Sequence, residues 1–400
     1  VTELRRSISF SGLVLYGLGT TIGAGIYALT GVLAARAGWL MPLAFLGASS
    51  LAVFTAFGFA ELSSRFPRAG GEAVYVLEGF RWRALSTGVG LLVVLAGVVS
   101  AAAVCVAFGG YLSELVGVPR MLVTVASVLA IGGIAAWGVR ESVAVVALMT
   151  VVETGGLLAV VAFGAPELAE LPERLPEMWP RDGASVLELA GAAVLAFYAF
   201  LGFEDMVNVA EEVHDVRRVL PRAILTTLAI TTLLYVAVAT VALLVVPPAE
   251  LAGSDAPLAL VFERAGGPGD LLGAIALVAL LNGALIQVVK ASRVLYGMAR
   301  EGSLPGALGR VHPGRRTPLL ATALATAVVV GLVASLPLAA LAELTAVVTL
   351  VTFGLANAAL LVVKRRDPHP EGAITFPAWL PAAGVAVSGA LLATELALRL

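Results

Sequence analysis

Charge is scarce in this 400-residue sequence: Asp, Glu, Lys and Arg make up only 13% of it, about half the share of a soluble domain. There is a single cysteine, Cys105, which excludes an internal disulfide and any cysteine-based metal cluster. Histidine is nearly as rare. His214, His312 and His369 all fall between apolar stretches, where solvated loop residues are expected rather than metal ligands or catalytic groups. The long apolar stretches hold no histidine and no aspartate besides Asp205, which argues against a polytopic membrane enzyme with a nucleophile–base pair. A phosphate-binding glycine loop ending in Lys-Ser or Lys-Thr is missing too, so primary active transport within this chain is not expected. No cofactor, metal ion or nucleic acid is implied. A cleavable signal peptide is not visible either, because Arg5 and Arg6 precede a full-length apolar stretch instead of a short apolar core. The chain opens on Val1 and its last apolar stretch stops abruptly, so trimmed termini and a further span beyond the end are expectations.

What fills the sequence is apolar. Hydrophobic residues make up 60% of it and the mean hydropathy is +0.99, the composition of a polytopic membrane protein. Runs long enough to cross a bilayer, about 20 residues each, are read at 9–35, 40–64, 84–113, 121–138, 142–164, 185–212, 219–247, 271–299, 317–336, 339–363 and 376–398. Loop charges orient them. One side carries Arg5 and Arg6, then Arg65, Arg68, Arg81 and Arg83, then Arg140, Arg217, Arg218 and Arg222. It continues with Arg300, Arg310, Arg315 and Arg316, and with Lys364, Arg365 and Arg366. The other side shows Glu167, Glu170, Glu173, Glu177 and Asp182, then Glu250, Asp255, Glu263 and Asp270. The positive-inside rule then predicts a multi-pass protein of the cell (inner) membrane with a cytoplasmic N-terminus.

The first span contains Gly17-Leu18-Gly19-Thr20-Thr21-Ile22-Gly23-Ala24-Gly25-Ile26-Tyr27. Each glycine costs roughly 1 kcal/mol against alanine in a helix interior, so this cluster predicts a gap between two half-helices at Ile22 to Gly25. Unwound backbone at that depth is tolerated only where it is buried in protein or lines a cavity. Five spans later, Phe197-Tyr198-Ala199-Phe200-Leu201-Gly202-Phe203-Glu204 interrupts the sixth span in the same relative place. Five is odd, so the second unit enters the membrane inverted. Paired interruptions in two inverted halves point to a secondary transporter's binding site; close helix packing is the alternative meaning of a lone glycine cluster.

Gly19 to Tyr27 resembles the first-helix signature of the amino acid–polyamine–organocation (APC) transporters. So do Ala60-Glu61-Leu62-Ser63-Ser64-Arg65-Phe66-Pro67-Arg68-Ala69-Gly70-Gly71-Glu72, Gly202-Phe203-Glu204 with Ala210-Glu211-Glu212-Val213, and Ala291-Ser292-Arg293-Val294-Leu295-Tyr296-Gly297-Met298-Ala299-Arg300-Glu301-Gly302. The resemblance implies an all-α polytopic fold of the LeuT type: a 5+5 inverted repeat with helices 1 and 6 broken and about eleven transmembrane helices. Residues 9–164 would form the first five-helix repeat, 185–363 the inverted second, and 376–398 an additional helix, all in one transporter domain. The implied function is secondary transport of amino acids or related small amines by alternating access, proton-coupled or exchanging, as a monomer or weak dimer in the lipid bilayer.

The candidate substrate-binding residues are Thr21, Ile22, Gly23, Ala24 and Gly25 of the first span and Tyr198, Ala199, Leu201 and Phe203 of the sixth. Small residues let a carboxylate approach backbone N–H groups, where a helix dipole favours an anion, and freed carbonyls can accept from an ammonium. Tyr198 is either a gate stacked over the ligand or a core aromatic. Glu204, at the start of the second half of the sixth span, resembles a family position tied to pH response or gating; a plain helix cap is the equal alternative. Glu153 departs from the resemblance, since many family members have a lysine there that substitutes for a sodium ion. A charge at bilayer depth needs a partner or a proton. An exchanged ion pair of Glu153 with Lys290, supported by Ser292, is expected, against a snorkelling Lys290 and a protonated Glu153. Asn282, Gln287, Thr349, Thr352 and Asn357 line the pocket or bond between helices.

Overall fold

The computed structural model describes residues 6–397 apart from 69, 138, 255, 336 and 337. The side chains of some helical residues, Gly23 and Ala24 among them, lie outside the described set. The chain is helical almost throughout: α1 Phe10–Ala37, α2 Met41–Arg65, α3 Gly71–Phe80, α4 Arg83–Val116, α5 Arg120–Trp137 and α6 Val139–Phe163. A short turn, α7 Leu171–Arg174, leads to α8 Gly183–Phe197, followed by 3-10 segments at Tyr198–Phe200 and Phe203–Glu212. Then come α9 Val216–Val245, the short α10 Pro248–Ala252 and α11 Pro257–Arg264, α12 Gly269–Arg300, α13 Leu319–Ser335, α14 Leu338–Arg366 and α15 Trp379–Ala397. Among the described residues nine stretches are long and apolar enough to cross a membrane, and α13 and α15 are shorter apolar helices. That agrees with the about eleven spans expected.

Local sequence explains where helices begin and end. Ser9 caps α1, its hydroxyl accepting from Gly12 N–H at 3.3 Å, and Asp182 with Ser185 forms a capping box at the start of α8. Such caps satisfy N–H groups that the helix itself leaves without partners. Pro42 lies in the first turn of α2, where its missing N–H costs nothing. The outward faces are apolar: Leu129, Leu148, Leu187 and Leu233 are 58%, 67%, 75% and 73% exposed. Polar groups turn inward, as a lipid solvent requires.

One expectation fails here. α1 is a continuous helix through residues 22–25, so the first span has no gap. The glycines bring neighbours close instead. A Cβ at Gly17 would meet the Thr227 hydroxyl at 2.7 Å, one at Gly19 the Asn282 amide nitrogen at 2.7 Å, and one at Gly25 the Ala199 Cα at 3.1 Å. The Thr20 and Thr21 hydroxyls both donate to the Gly17 carbonyl, at 2.7 and 2.8 Å. The close-packing alternative therefore describes the first cluster.

The sixth span does break. α8 ends at Phe197, Leu201 is extended, and Gly202 has φ 126°. Beyond it the chain resumes as a 3-10 helix, not as an α-helical half. A Cβ at Gly202 would collide with the Thr20 carbonyl of α1, so glycine is needed for both its φ and its bareness.

The arginine-rich end is held by polar ties between spans. The buried Glu61 carboxylate accepts from Arg65 (2.7 Å), from Lys364 of α14 (2.7 Å) and from Phe376 N–H ahead of α15 (2.9 Å). The segment before α1 is stitched to the end of the sixth span: Ser7 and Ile8 N–H both donate to the Glu212 carbonyl, and His214 N–H donates to that of Ile8.

Candidate functional site

The break after α8 faces the glycine-rich turns of α1, and α9 joins the two. Tyr235, fully buried on α9, points its hydroxyl at the carbonyls of Thr21 (2.9 Å), Ala199 (3.0 Å) and Ile22 (3.4 Å). One phenolic proton thus serves acceptors on both elements. The Tyr235 ring is flanked by Phe45 and Phe200, with centroids 5.3 and 5.2 Å away, which fixes the hydroxyl in place. Of the expected substrate-binding residues, Thr21, Ile22, Ala199 and Phe203 are buried at this junction, while Gly25, Tyr198 and Leu201 are half-buried. The main chain of Gly23 and Ala24 continues α1, and their side chains lie outside the described residues. The Tyr198 carbonyl accepts from Leu201 N–H at 3.3 Å, closing the 3-10 turn.

Glu204 accepts from Gly202 N–H through Oε2 at 2.8 Å. Its carboxyl reaches back to the main chain of the residue that opens the 3-10 segment.

Lys290 is buried, and its ammonium lies 2.5 Å from Asp205 Oδ1. The other Asp205 oxygen accepts from Gln287 Nε2 at 2.8 Å. The expected Glu153–Lys290 pair does not form. Glu153 Oε2 accepts instead from Asn282 Nδ2 at 3.1 Å, and that amide also donates to Thr150 at 3.0 Å. The spacing along α12 explains the separation: Lys290 is eight residues, about 12 Å of helix, beyond Asn282 toward the arginine-rich end. Ser292 supports neither residue. Its hydroxyl donates to the Val289 carbonyl (2.7 Å) and accepts from Arg293 Nη1 (2.9 Å).

Glu153 is left with one oxygen unpaired by protein. Its Oε1, the Asn282 carbonyl oxygen and the Thr154 hydroxyl are buried without a hydrogen-bond partner. The Tyr27 hydroxyl donates to the Glu153 main-chain carbonyl at 3.1 Å. α6, α12 and α1 thus converge on an unpaired carboxyl in an apolar bundle. Chemically that is a place for a proton or another cation.

Two functional candidates escaped sequence reasoning. In the sequence Asp205 stands out only as the lone aspartate of the spans, yet a charge at that depth is by default a partner in something. Tyr235 gave no signal beyond a phenol within an apolar run. Below them Arg293 pairs with Glu212 at 2.9 Å, both fully buried, tying α12 to the end of the sixth span.

The family described as amino acid permease matches residues 8–396. The chain belongs to that family. The permease is similar to the branched-chain amino acid permease BcaP of Bacillus subtilis, 29% identical over 94% of this chain and 84% of that one. It is also similar to the methylthioribose transporter of Bacillus subtilis, 28% identical over 94% of this chain and 85% of the relative. Cationic amino acid transporter 3, mitochondrial, of Arabidopsis thaliana is 28% identical over 92% of this chain and 64% of its own length. The permease is a multi-pass membrane transporter and not an enzyme.

Proposed function

We propose that the permease moves an α-amino acid or a closely related amine across the bilayer by alternating access. It binds its substrate where α1 faces the break after α8. The observation that carries this reading is that break, with Leu201 extended and Gly202 at φ 126°, buried against the main chain of α1. Irregular backbone at that depth belongs where protein buries it or a cavity is lined, and secondary transporters place substrates there. The ammonium takes the carbonyls of Thr21 and Ala199, which now accept from Tyr235. The carboxylate takes main-chain N–H groups of residues 23–25, where little side chain intervenes; the continuous helix holds those groups here, and substrate binding has to release them. Ile22, Tyr198, Leu201 and Phe203 border the same place, with Tyr198 as its gate. Residues 9–164 and 185–363 act as two inverted halves, and the arginine-rich end is the cytoplasmic one, as the loop charges suggest.

Glu153 takes the proton that couples transport to the proton gradient. Its unpaired Oε1 and its amide and hydroxyl neighbours support that role. The test is uptake into proteoliposomes, with and without an imposed pH gradient. The panel holds branched-chain and cationic amino acids, polyamines and methylthioribose. Saturable uptake of an amino acid or amine, accelerated by an inward proton gradient, is expected. Glu153→Gln should keep downhill uptake and lose the acceleration. A folded protein that moves no amino acid or amine would overturn the substrate class, and a Glu153→Gln variant still driven by the gradient would overturn the coupling role.

A further inference from the structure

Toward the arginine-rich end, α3 brings in a carboxyl that transport as described above does not use. Glu72 lies in the first turn of α3 and is 1% exposed. The turn before it passes through Gly70 and Gly71, both at positive φ (101° and 41°). A Cβ on Gly71 would meet Asn208 Oδ1 at 2.6 Å, so this turn presses directly on the 3-10 segment of the sixth span. There the buried polar atoms outnumber their partners. Glu72 Oε2, both amide atoms of Asn208 and the Tyr75 hydroxyl are buried with no hydrogen-bond partner.

The charges facing Glu72 come from two neighbouring elements: Lys290 of α12, and Asp205 of the 3-10 segment. Lys290 in turn feels Asp205, Glu204 and Glu72. On its own helix the titratable neighbour is Tyr75. α4 and α14 pack on α3 with Val89 and Ala359, and the Ser86 hydroxyl of α4 donates to the Ala73 carbonyl at 2.7 Å. Charges bound to α3 from elsewhere sit at its far end, where Arg68 pairs with the Glu78 carboxylate and Arg366 donates to the Glu78 carbonyl. Three carboxyls thus surround one ammonium in the interior. Full ionisation would leave two uncompensated negative charges there, which burial makes costly. Burial pushes the Glu72 carboxyl up to about 7, with the Lys290 ammonium holding it lower and Asp205 adding to the rise.

We propose that Glu72 is a proton-binding site that governs the arginine-rich end of the permease. Protonated, it leaves Lys290 to Asp205 and keeps α12 against the 3-10 segment. When the proton passes to water on that side, the Glu72 carboxylate competes for the Lys290 ammonium and loosens the α12 contact. The inference goes beyond the transport reading and needs neither its substrate nor its orientation.

The permease in lipid nanodiscs, with both faces in solvent, allows two substrate-free measurements. The first follows the protonated-carboxyl infrared band from about pH 5 to about pH 9. Glu72→Gln should lose one carboxyl titrating near neutrality, and Lys290→Met should raise that carboxyl's midpoint by at least about one pH unit. The second reads thiol labelling of Ala210→Cys in a Cys105→Ala background, since Ala210 is buried on the 3-10 segment. Divided by the rate of a fully exposed cysteine at the same pH, which removes the thiol's own ionisation, labelling should accelerate about tenfold from about pH 6 to about pH 8, following the ionised fraction of a group that titrates midway between them. With Glu72→Gln added the corrected rate should be slow at both. An unchanged set of titrating carboxyls in Glu72→Gln overturns the site, and the same labelling curve with and without Glu72 overturns the gate. Should Glu72→Gln not assemble, Glu72→Met takes its place in both measurements. A failed uptake assay leaves both results standing.

Discussion

At Gly202 two demands fall on one residue. Its φ of 126° lies where a side chain is strained, and a Cβ would run into the Thr20 carbonyl of α1. The strain alone costs about 1–3 kcal/mol, and a backbone atom in the way cannot swing aside. Gly202→Ala is therefore expected to lower stability by at least about 2 kcal/mol. Gly88 of α4 supplies the opposite case, because a Cβ there meets nothing within 4 Å. Gly88→Ala should gain up to about 1 kcal/mol of helix propensity. Thermal unfolding of the two variants side by side measures the contrast, and equal shifts would remove the case for a strained break. The same scale shows what one chain of letters can reveal. Glycine at 202 inside an apolar run announces an interruption, and a lone Glu153 within a span announces a partner or a proton. Neither letter says which partner, because Asn282 lies more than a hundred residues away along the chain.

Among the elements, α1 and the sixth span carried similar glycine signals and took different forms. In α1 the glycines admit Thr150, Asn282, Met206 and Ala199, and the hydroxyls of Thr20 and Thr21 bond back to Gly17, so helix survives. In the sixth span a single glycine at positive φ, preceded by an extended leucine, ends it. Composition alone does not separate these outcomes, since both follow from what lies across the interface. Span number and the polar ends of the bundle were legible, because lipid enforces hydropathy residue by residue. Tyr235 was not legible, since its meaning lies in reaching α1 and the break together. Removing its hydroxyl leaves buried carbonyls short of a donor, at about 1–3 kcal/mol. Tyr235→Phe should therefore loosen the junction. The expected readout is faster amide hydrogen exchange across residues 199–204, with α4 unchanged; uniform exchange rates across both would show that the phenol is only packing.

For the whole molecule the question is what must part when the arginine-rich end opens. Two ion pairs join α12 to the 3-10 segment there, Lys290 with Asp205 and Arg293 with Glu212, and Ile8 with Val213 holds the chain entry to the same segment. Arg293 and Glu212 are both fully buried, yet Arg293 Nη2 and Glu212 Oε2 find no hydrogen-bond partner. A pair built this incompletely is poor insurance for stability, since desolvation offsets much of the attraction. Its value lies in position. Removing one member strands a buried charge, at about 3–5 kcal/mol, whereas replacing both by apolar side chains of like volume is often neutral. Arg293→Met and Glu212→Leu should each destabilise the permease, and the double variant should recover most of the loss. A double-mutant cycle in thermal unfolding isolates the coupling. If the pair acts as a latch, the double variant, stable again but with no charge to re-form, should also label faster at Ala210→Cys at every pH. Recovered stability with labelling as slow as the parent would mean that the pair only fills space, and that closure at this end rests on Lys290 and Asp205.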